Sequence, residues 1–141
     1  MEAKVICFLM IGVIIGTVNC MTRAQLKNSG KMFRKNCLAK VKVEEELIAD
    51  IEKGKFIEDK DVMCYIACVY QMTQIVKNNK LSYEAAIKQI DLMYPADMKE
   101  SVKKSVDKCK DISKKYKDLC EASFYTAKCI YEDNPKDFIF A

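Results

Sequence analysis

Eight cysteines are the residues of this 141-residue chain whose chemistry could be decisive. A cysteine can attack a substrate, hold a metal or form a disulfide. Two of them, Cys64 and Cys68, are four residues apart in an apolar segment of helical period. Residues at this spacing share one helix face, and parallel side chains on one helix are poorly placed to bond to each other. We expect each of the two thiols to reach a different element.

The N-terminus indicates the compartment in which these cysteines act. Lys4 precedes an apolar run over residues 5–18, and Val18 and Cys20 stand at positions −3 and −1 of a cleavage site after residue 20. This pattern is typical of a secretory signal peptide, and the run is shorter than the roughly 18–20 residues that span a bilayer. The sequence predicts a signal peptide over residues 1–20, a single secreted domain over residues 21–141, and no stable membrane insertion.

Cleavage would leave six cysteines, namely Cys37, Cys64, Cys68, Cys109, Cys120 and Cys129. An even number in a small secreted domain predicts three disulfides, but the residues alone allow 15 pairings. The chain has no histidine and no Cys-x-x-Cys motif, so we expect no metal site.

Other chemistries find little support in the sequence. The absence of histidine removes Ser-His-Asp and Cys-His mechanisms, oxidised cysteines leave no thiol nucleophile, and no glycine-rich phosphate loop is present. Asp59 and Asp61 form a carboxylate pair, but capping of a predicted helix explains them better. The net charge of +4 is interspersed with acidic groups and gives no nucleic-acid footprint. We expect neither an enzyme nor a cofactor.

Apolar residues recur at helical spacing along most of the domain, so the predicted fold class is all-α with six short helices. Thr22 and Gln25 form a capping box, and Gly54 suits a left-handed C-terminal cap. Asn78-Asn79 is expected to end the third helix, and Asp97 with Glu100 to cap the fifth. The expected helices begin near Thr22, Val43, Asp59 or Asp61, Ser82, Asp97 and Leu119.

Short helices are marginal alone, so the cross-links matter for stability. A bridge that closes some tens of residues contributes about 3–4 kcal/mol, and three bridges rival the roughly 5–15 kcal/mol of a typical domain. A domain held in this way need not fill its apolar centre, which would leave a ligand cavity. The sequence closes with Phe138-Ile139-Phe140-Ala141, a segment expected to be buried rather than exposed.

The cysteine spacing carries a family resemblance. Successive cysteines of the domain are separated by 26, 3, 40, 10 and 8 residues. This spacing, with the chain length, signal peptide and helical pattern, resembles the insect odorant-binding protein family. Residues 63–65, 101–106 and 126–129 are similar to its alcohol- and pheromone-binding branch. The resemblance implies six helices around a hydrophobic cavity and the disulfides Cys37–Cys68, Cys64–Cys120 and Cys109–Cys129.

The same resemblance implies a function. It implies reversible carriage of odorants, pheromones or similar hydrophobic ligands through the aqueous lymph around chemosensory neurons, toward a receptor. The implied ligand-binding residues are Phe33, Ile66, Val69, Tyr70, Thr73, Leu81, Ile87, Met93, Phe124, Ala127 and Ile130, with Phe138 and Phe140 closing the pocket. The alcohol-binding branch has small hydroxyl residues where this chain has Tyr70 and Ile75, which favours a different ligand polarity.

An alternative remains open from the residues. The chain could be a secreted, disulfide-linked interaction protein, hormone-like or a defence factor, without a small-molecule ligand. A large exposed apolar patch and no cavity would favour that interpretation. A monomer and a weak homodimer both fit the sequence. Because histidine is absent, we expect no histidine switch and little release of ligand above about pH 5.

Overall fold

The computed structural model describes residues 21–141, so the predicted signal peptide lies outside the described residues. Within them the all-α prediction is confirmed. The six helices are α1 Arg23–Leu38, α2 Glu45–Ile48, α3 Lys60–Met72, α4 Tyr83–Met93, α5 Ala96–Cys109 and α6 Leu119–Asp133. Two 3-10 turns, Ile51–Lys53 and Ser113–Lys115, and two short strands, β1 Val76–Lys77 and β2 Lys80–Leu81, complete the fold. None of the helices in this part of the chain has the length and apolar character needed to cross a bilayer.

Most helix starts follow the capping signals in the sequence. The Thr22 hydroxyl accepts a hydrogen bond from the Gln25 N–H, and the Gln25 side chain accepts one from the Thr22 N–H, which confirms the capping box. The Asp59 carboxylate caps α3, and the Ser82 hydroxyl caps α4. These contacts satisfy N–H groups that the first turn of a helix leaves without a partner.

The start of α5 differs from its prediction. Pro95 is the N-cap, the helix begins at Ala96, and no side chain caps it, so the capping box of Asp97 with Glu100 is wrong. Proline suits this position because it has a fixed φ and lacks the N–H that would go unpaired. Asp97 lies in the first turn, where a negative charge interacts favourably with the helix dipole.

The segment between α3 and α4 was predicted wrongly as a continuation of α3. The helix ends at Met72, and a two-stranded antiparallel hairpin follows in which Val76 pairs with Leu81. Asn78 and Asn79 form its turn with φ of 50° and 59°. Asparagine tolerates this left-handed region, and two such residues in succession are typical of a tight hairpin turn.

The core of the domain is divided into two clusters. The larger one surrounds α3, which packs against α6 and α1, and the smaller one joins α4 to α5. Buried members of the larger cluster include Ile48, Ile51, Val62, Tyr65, Ile66, Val69, Phe124, Ala127 and Phe138. The smaller cluster consists of Ile90, Met98 and Val102 with partly buried neighbours.

Three disulfides connect these helices. Two of them leave α3 toward different partners, one to α1 and one to α6, and the third joins α5 to α6. The joined pairs, which are those implied by the family resemblance, are Cys37–Cys68, Cys64–Cys120 and Cys109–Cys129. Four of the six helices, α3 and three others, are therefore held together by covalent bonds.

Candidate ligand-binding site

An apolar cavity of about 170 Å³ lies between the two core clusters. Its wall is built by α1, α3, β2, α4, α5, α6 and the segment 137–141. For comparison, an engineered apolar cavity of about 150 Å³ in another protein binds benzene. The predicted ligand-binding residues that the structure brings together in this wall are Phe33, Val69, Tyr70, Thr73, Leu81, Met93, Ile130, Phe138 and Phe140.

Two residues predicted on the cavity-facing helices α3 and α4 do not line the cavity. Ile66 shares a face with Val69 and Tyr70 but lies one turn earlier, where α3 is fully buried in the core. On α4 the cavity face includes Ile90. Ile87 is three residues before it and packs against the same α4–α5 cluster as Ile90, but it does not line the cavity. An apolar stripe predicts a buried face, but not which part of that face is left unfilled.

Two predicted residues of α6 also lie elsewhere. Phe124 and Ala127 are fully buried in the larger core cluster, where α6 packs against α3. The cavity wall on α6 is formed instead by Thr126, Ile130 and residue 134. These positions are four residues apart and form a stripe beside the core stripe.

Several residues of the wall were not predicted from the sequence. Ala86, Ile90 and Met93 do follow helical spacing on α4, so the first two could have been assigned from that period. Tyr94 carried no such signal, because it lies after the last turn of α4. Other unpredicted members of the wall include Leu26, Gly30, Ile75, Val102, Val106, Thr126 and Ile139.

The C-terminal segment forms the front of the cavity. The ring of Phe140 meets those of Tyr65 and Tyr70 edge to face, with centroids 6.4 and 6.1 Å apart. Phe138 stacks on Phe140 at 5.8 Å and is itself part of the core. The Tyr65 hydroxyl donates a hydrogen bond of 2.8 Å to a backbone oxygen of Ala141. Aromatic packing and this hydrogen bond fix the segment across the cavity.

A polar anchor holds the base of this segment. The carboxylate of Asp137 accepts hydrogen bonds from the Ser101 hydroxyl at 2.6 Å and from the Arg23 guanidinium at 2.9 Å. The Asp137 N–H donates to the side-chain oxygen of Asn134. These hydrogen bonds lower the pKa of the Asp137 carboxyl from its ordinary value. The bond from Ser101 has the largest effect, and the bond from Arg23 has the next largest.

The two charged side chains in the cavity wall are both engaged. Besides Asp137, the wall includes Lys110, whose ammonium pairs with Asp107 at 2.9 Å and lies 5.5 Å from the ring centroid of Tyr83. Within the described residues the wall thus offers a ligand no free charged side chain, and a buried unpaired charge on a ligand would be costly. The site suits neutral molecules.

A few hydroxyl groups interrupt the apolar wall. The Thr73 hydroxyl donates locally to the carbonyl of Tyr70. The hydroxyls of Tyr70 and Tyr94 make no hydrogen bond to any described residue, and the Thr126 hydroxyl is buried without a partner. Burial raises the pKa of Tyr94 to about 12 and also raises that of Tyr70, so both phenols are neutral donors at physiological pH.

Comparison with known proteins places the chain in a family. Residues 19–133 match the model of the PBP/GOBP family. The chain belongs to the PBP/GOBP family. As a family member it is a carrier of small hydrophobic ligands, and the resemblance to insect odorant-binding proteins is confirmed.

Individual PBP/GOBP relatives match over nearly their whole length. The chain is 35% identical over 119 residues to general odorant-binding protein 72 of Anopheles gambiae, covering 84% of this chain and 98% of that protein. It is similar to the structure of odorant binding protein 4 of Chrysopa pallens, with 36% identity, a TM-score of 0.77, and coverage of 86% and 99%. It is also similar to odorant binding protein 5 of Apis mellifera, with 27% identity, a TM-score of 0.78 and the same coverage.

Proposed function

We propose that this PBP/GOBP protein carries its ligands in the cavity closed by residues 137–141. The observation that carries the proposal is an apolar chamber between two packed clusters, with no free charged side chain among its described lining residues. Such a chamber takes up an apolar molecule by desolvation, and a few polar groups then fix its orientation. In this proposal the ligand binds reversibly and leaves unchanged, which is supported by the pairing of both charged side chains of the wall, Lys110 and Asp137.

The size of the cavity sets the scale of the affinity. A buried methylene contributes about 0.8 kcal/mol, so a chain of eight to ten methylenes gives roughly 6–8 kcal/mol before any cost. Immobilising the ligand reduces this sum, while the hydroxyl groups of the wall add to it. The result is an affinity on the order of micromolar, which suits uptake and release rather than permanent sequestration.

The setting of this function follows from the N-terminal pattern and the cysteines. We propose that residues 1–20 are removed on secretion and that residues 21–141 act as one domain in an extracellular fluid, such as chemosensory lymph, before delivery to a receptor. Three disulfides support an oxidising compartment. The mass of the secreted protein tests the cleavage, since processing elsewhere than after Cys20 would give a different mass.

The alternative of an interaction protein without a ligand is not favoured. That interpretation expected no cavity, whereas the structure has an apolar one lined by seven parts of the chain. A catalytic role is not proposed either, because Lys110 and Asp137, the charged residues of the wall, are both held in ion pairs.

Displacement of a fluorescent apolar probe tests the proposal. Oxidised protein comprising residues 21–141 is titrated with N-phenyl-1-naphthylamine, and the bound probe is then competed with a panel of volatile alcohols, ketones, esters and hydrocarbons. We expect one saturable site and competition on the order of micromolar. Absence of saturable probe binding to correctly folded protein would reject the carrier function at this cavity.

A cavity-filling variant locates the site. Ala86 lines the cavity, so Ala86→Phe should occupy it and reduce probe affinity by at least tenfold. Ala24 is exposed on α1, so Ala24→Phe is the matched control and should bind the probe as the unchanged protein does. Circular dichroism of both variants establishes that the fold is retained. Equal binding by both variants would place the probe elsewhere.

A further inference from the structure

Two tyrosines of the cavity wall have hydroxyls that make no hydrogen bond to any residue in the range 21–141. Tyr70 lies near the end of α3 and Tyr94 directly after α4, so two different elements bring them to one cavity. Neither hydroxyl makes a hydrogen bond to another described residue, although both side chains lie deep in the protein. Both tyrosines are only partly buried by accessible surface, and both line the cavity.

We propose that Tyr70 and Tyr94 together recognise a carbonyl oxygen of the ligand, which makes the ligand class a neutral aldehyde, ketone or ester. This inference rests on the proposed function, because it concerns the same cavity. A carbonyl oxygen has two lone pairs and can accept from two donors at once. Two phenol hydroxyls on neighbouring parts of the wall are the matching donor pair.

The two tyrosines line the same cavity, one near the end of α3 and the other directly after α4. Burial raises the pKa of Tyr70, and the Tyr94 phenol adds to this effect. Both phenols consequently keep their protons and act as donors across the physiological range. Thr73, one of the predicted ligand-binding residues, donates its own hydroxyl to the Tyr70 carbonyl and is the weaker candidate.

The remaining wall disfavours other ligand classes. A hydrocarbon would remove water from both phenols and leave them without acceptors, which is costly for buried donors. A carboxylate would need a counter-charge, but Lys110 at the edge of the cavity is already paired with Asp107. The buried Thr126 hydroxyl is a further polar group of this wall that has no hydrogen-bond partner among the described residues.

A matched pair of ligands tests this inference. The ketone 2-octanone and the alkene 2-methyl-1-octene have the same shape and the same number of heavy atoms, but only the ketone has an acceptor oxygen. We expect Tyr94→Phe and Tyr70→Phe each to weaken binding of the ketone about three- to tenfold, the size of one neutral hydrogen bond. Binding of the alkene should stay the same or become slightly stronger. The double variant should lose less than the product of the single losses, since both residues bind one oxygen.

Controls separate this inference from simpler effects. Tyr125→Phe removes a hydroxyl from a ring that stacks on Tyr116 and does not line the cavity, so it should change neither ligand. Urea unfolding should show no loss of stability in Tyr94→Phe, because its hydroxyl has no protein partner to lose. Octanoate serves as the charged comparison and should bind more weakly than the ketone.

The outcomes are distinguishable from failure of the carrier function. If the unchanged protein binds the probe and both ligands, but the tyrosine variants weaken ketone and alkene equally or weaken neither, recognition of an oxygen is overturned and the cavity remains a binding site. Tighter binding of octanoate than of 2-octanone would also overturn it. If no probe or ligand binds to the unchanged protein, the carrier function itself fails.

Discussion

The guanidinium of Arg23 donates a hydrogen bond of 2.9 Å to the carboxylate of Asp137, across 114 positions of sequence. Arg23 is the first residue of α1, and Asp137 begins the segment that closes the cavity. The other carboxylate oxygen accepts from Ser101 on α5. Two helices therefore hold the closing segment by one carboxylate, and hydrogen bonds to a charged carboxylate are stronger than neutral ones.

Acid should open the cavity only at low pH. The folded protein lowers the pKa of the Asp137 carboxyl, so the stabilisation is complete above the ordinary aspartate value near 4 and is lost as pH falls below it. We expect probe affinity to be nearly constant from pH 7 to 5.5 and to fall below about pH 4. Probe titrations at half-unit steps measure this. A steep loss between pH 7 and 5.5 would contradict the assignment, because the chain has no histidine to cause it.

Removing the charge of Asp137 should loosen the closing segment at neutral pH. We expect Asp137→Asn to lower the free energy of unfolding by about 1 kcal/mol and to speed probe dissociation, because a charge-assisted bond is replaced by a weaker one. Stopped-flow dilution measures the dissociation rate. Asp111→Asn is the control, since its pair with Lys114 is exposed at the surface and should contribute little. Equal dissociation rates in both variants would show that the anchor does not control ligand exit.

Shortening the closing segment should change which ligand lengths are accepted. Removing residues 139–141 takes away Phe140 and the contact of Ala141 with Tyr65, but keeps Phe138 in the core. Short ligands should lose about tenfold in affinity because they lose part of their wall. Ligands too long for about 170 Å³ should lose less or gain. Competition by a series of 2-ketones from six to fourteen carbons measures this, and an unchanged profile would show that the segment is not part of the binding site.

Gly54 should not tolerate a side chain. It has φ of 90°, and a Cβ there would overlap the ring of Tyr131, which is fixed by a hydrogen bond of 2.9 Å from its hydroxyl to the Lys53 carbonyl. We expect Gly54→Ala to lower the free energy of unfolding by about 2–4 kcal/mol, because left-handed strain and overpacking act together. The control is Gly30→Ala on α1, where a Cβ would lie 3.6 Å from the Ala141 Cα, an ordinary contact. Urea unfolding should show that this control is neutral or stabilised, since alanine favours the helix. A similar loss of stability in both variants would contradict the attribution to left-handed strain and overlap with Tyr131.

Local signals made much of the fold predictable. The capping box of Thr22 and Gln25 and the left-handed cap at Gly54 act within a few residues, so the sequence displays them directly. The hairpin after α3 was missed because Asn78-Asn79 was read as a helix end. The same two residues are equally suited to a tight turn between strands.

The binding site was less predictable than the fold, because helical period identifies a face but not its depth. Ile66 and Val69 share a stripe of α3 and both are buried in the larger core cluster, but only Val69 also lines the cavity. That distinction depends on how the helices pack around α3, which is a tertiary property. Tyr94 was missed for another reason. It follows the end of α4 and belongs to no periodic pattern, so only the folded chain brings it near Tyr70.

Ile139 and Phe140 contribute to the binding site but lie outside the disulfide-linked framework. Both residues shape the front of the cavity, yet they lie after the last helix and beyond the last disulfide. A substitution there alters the space offered to a ligand while the framework around α3 keeps its cross-links. The range of ligands can therefore change through substitutions at Ile139 and Phe140 that leave all three disulfides in place.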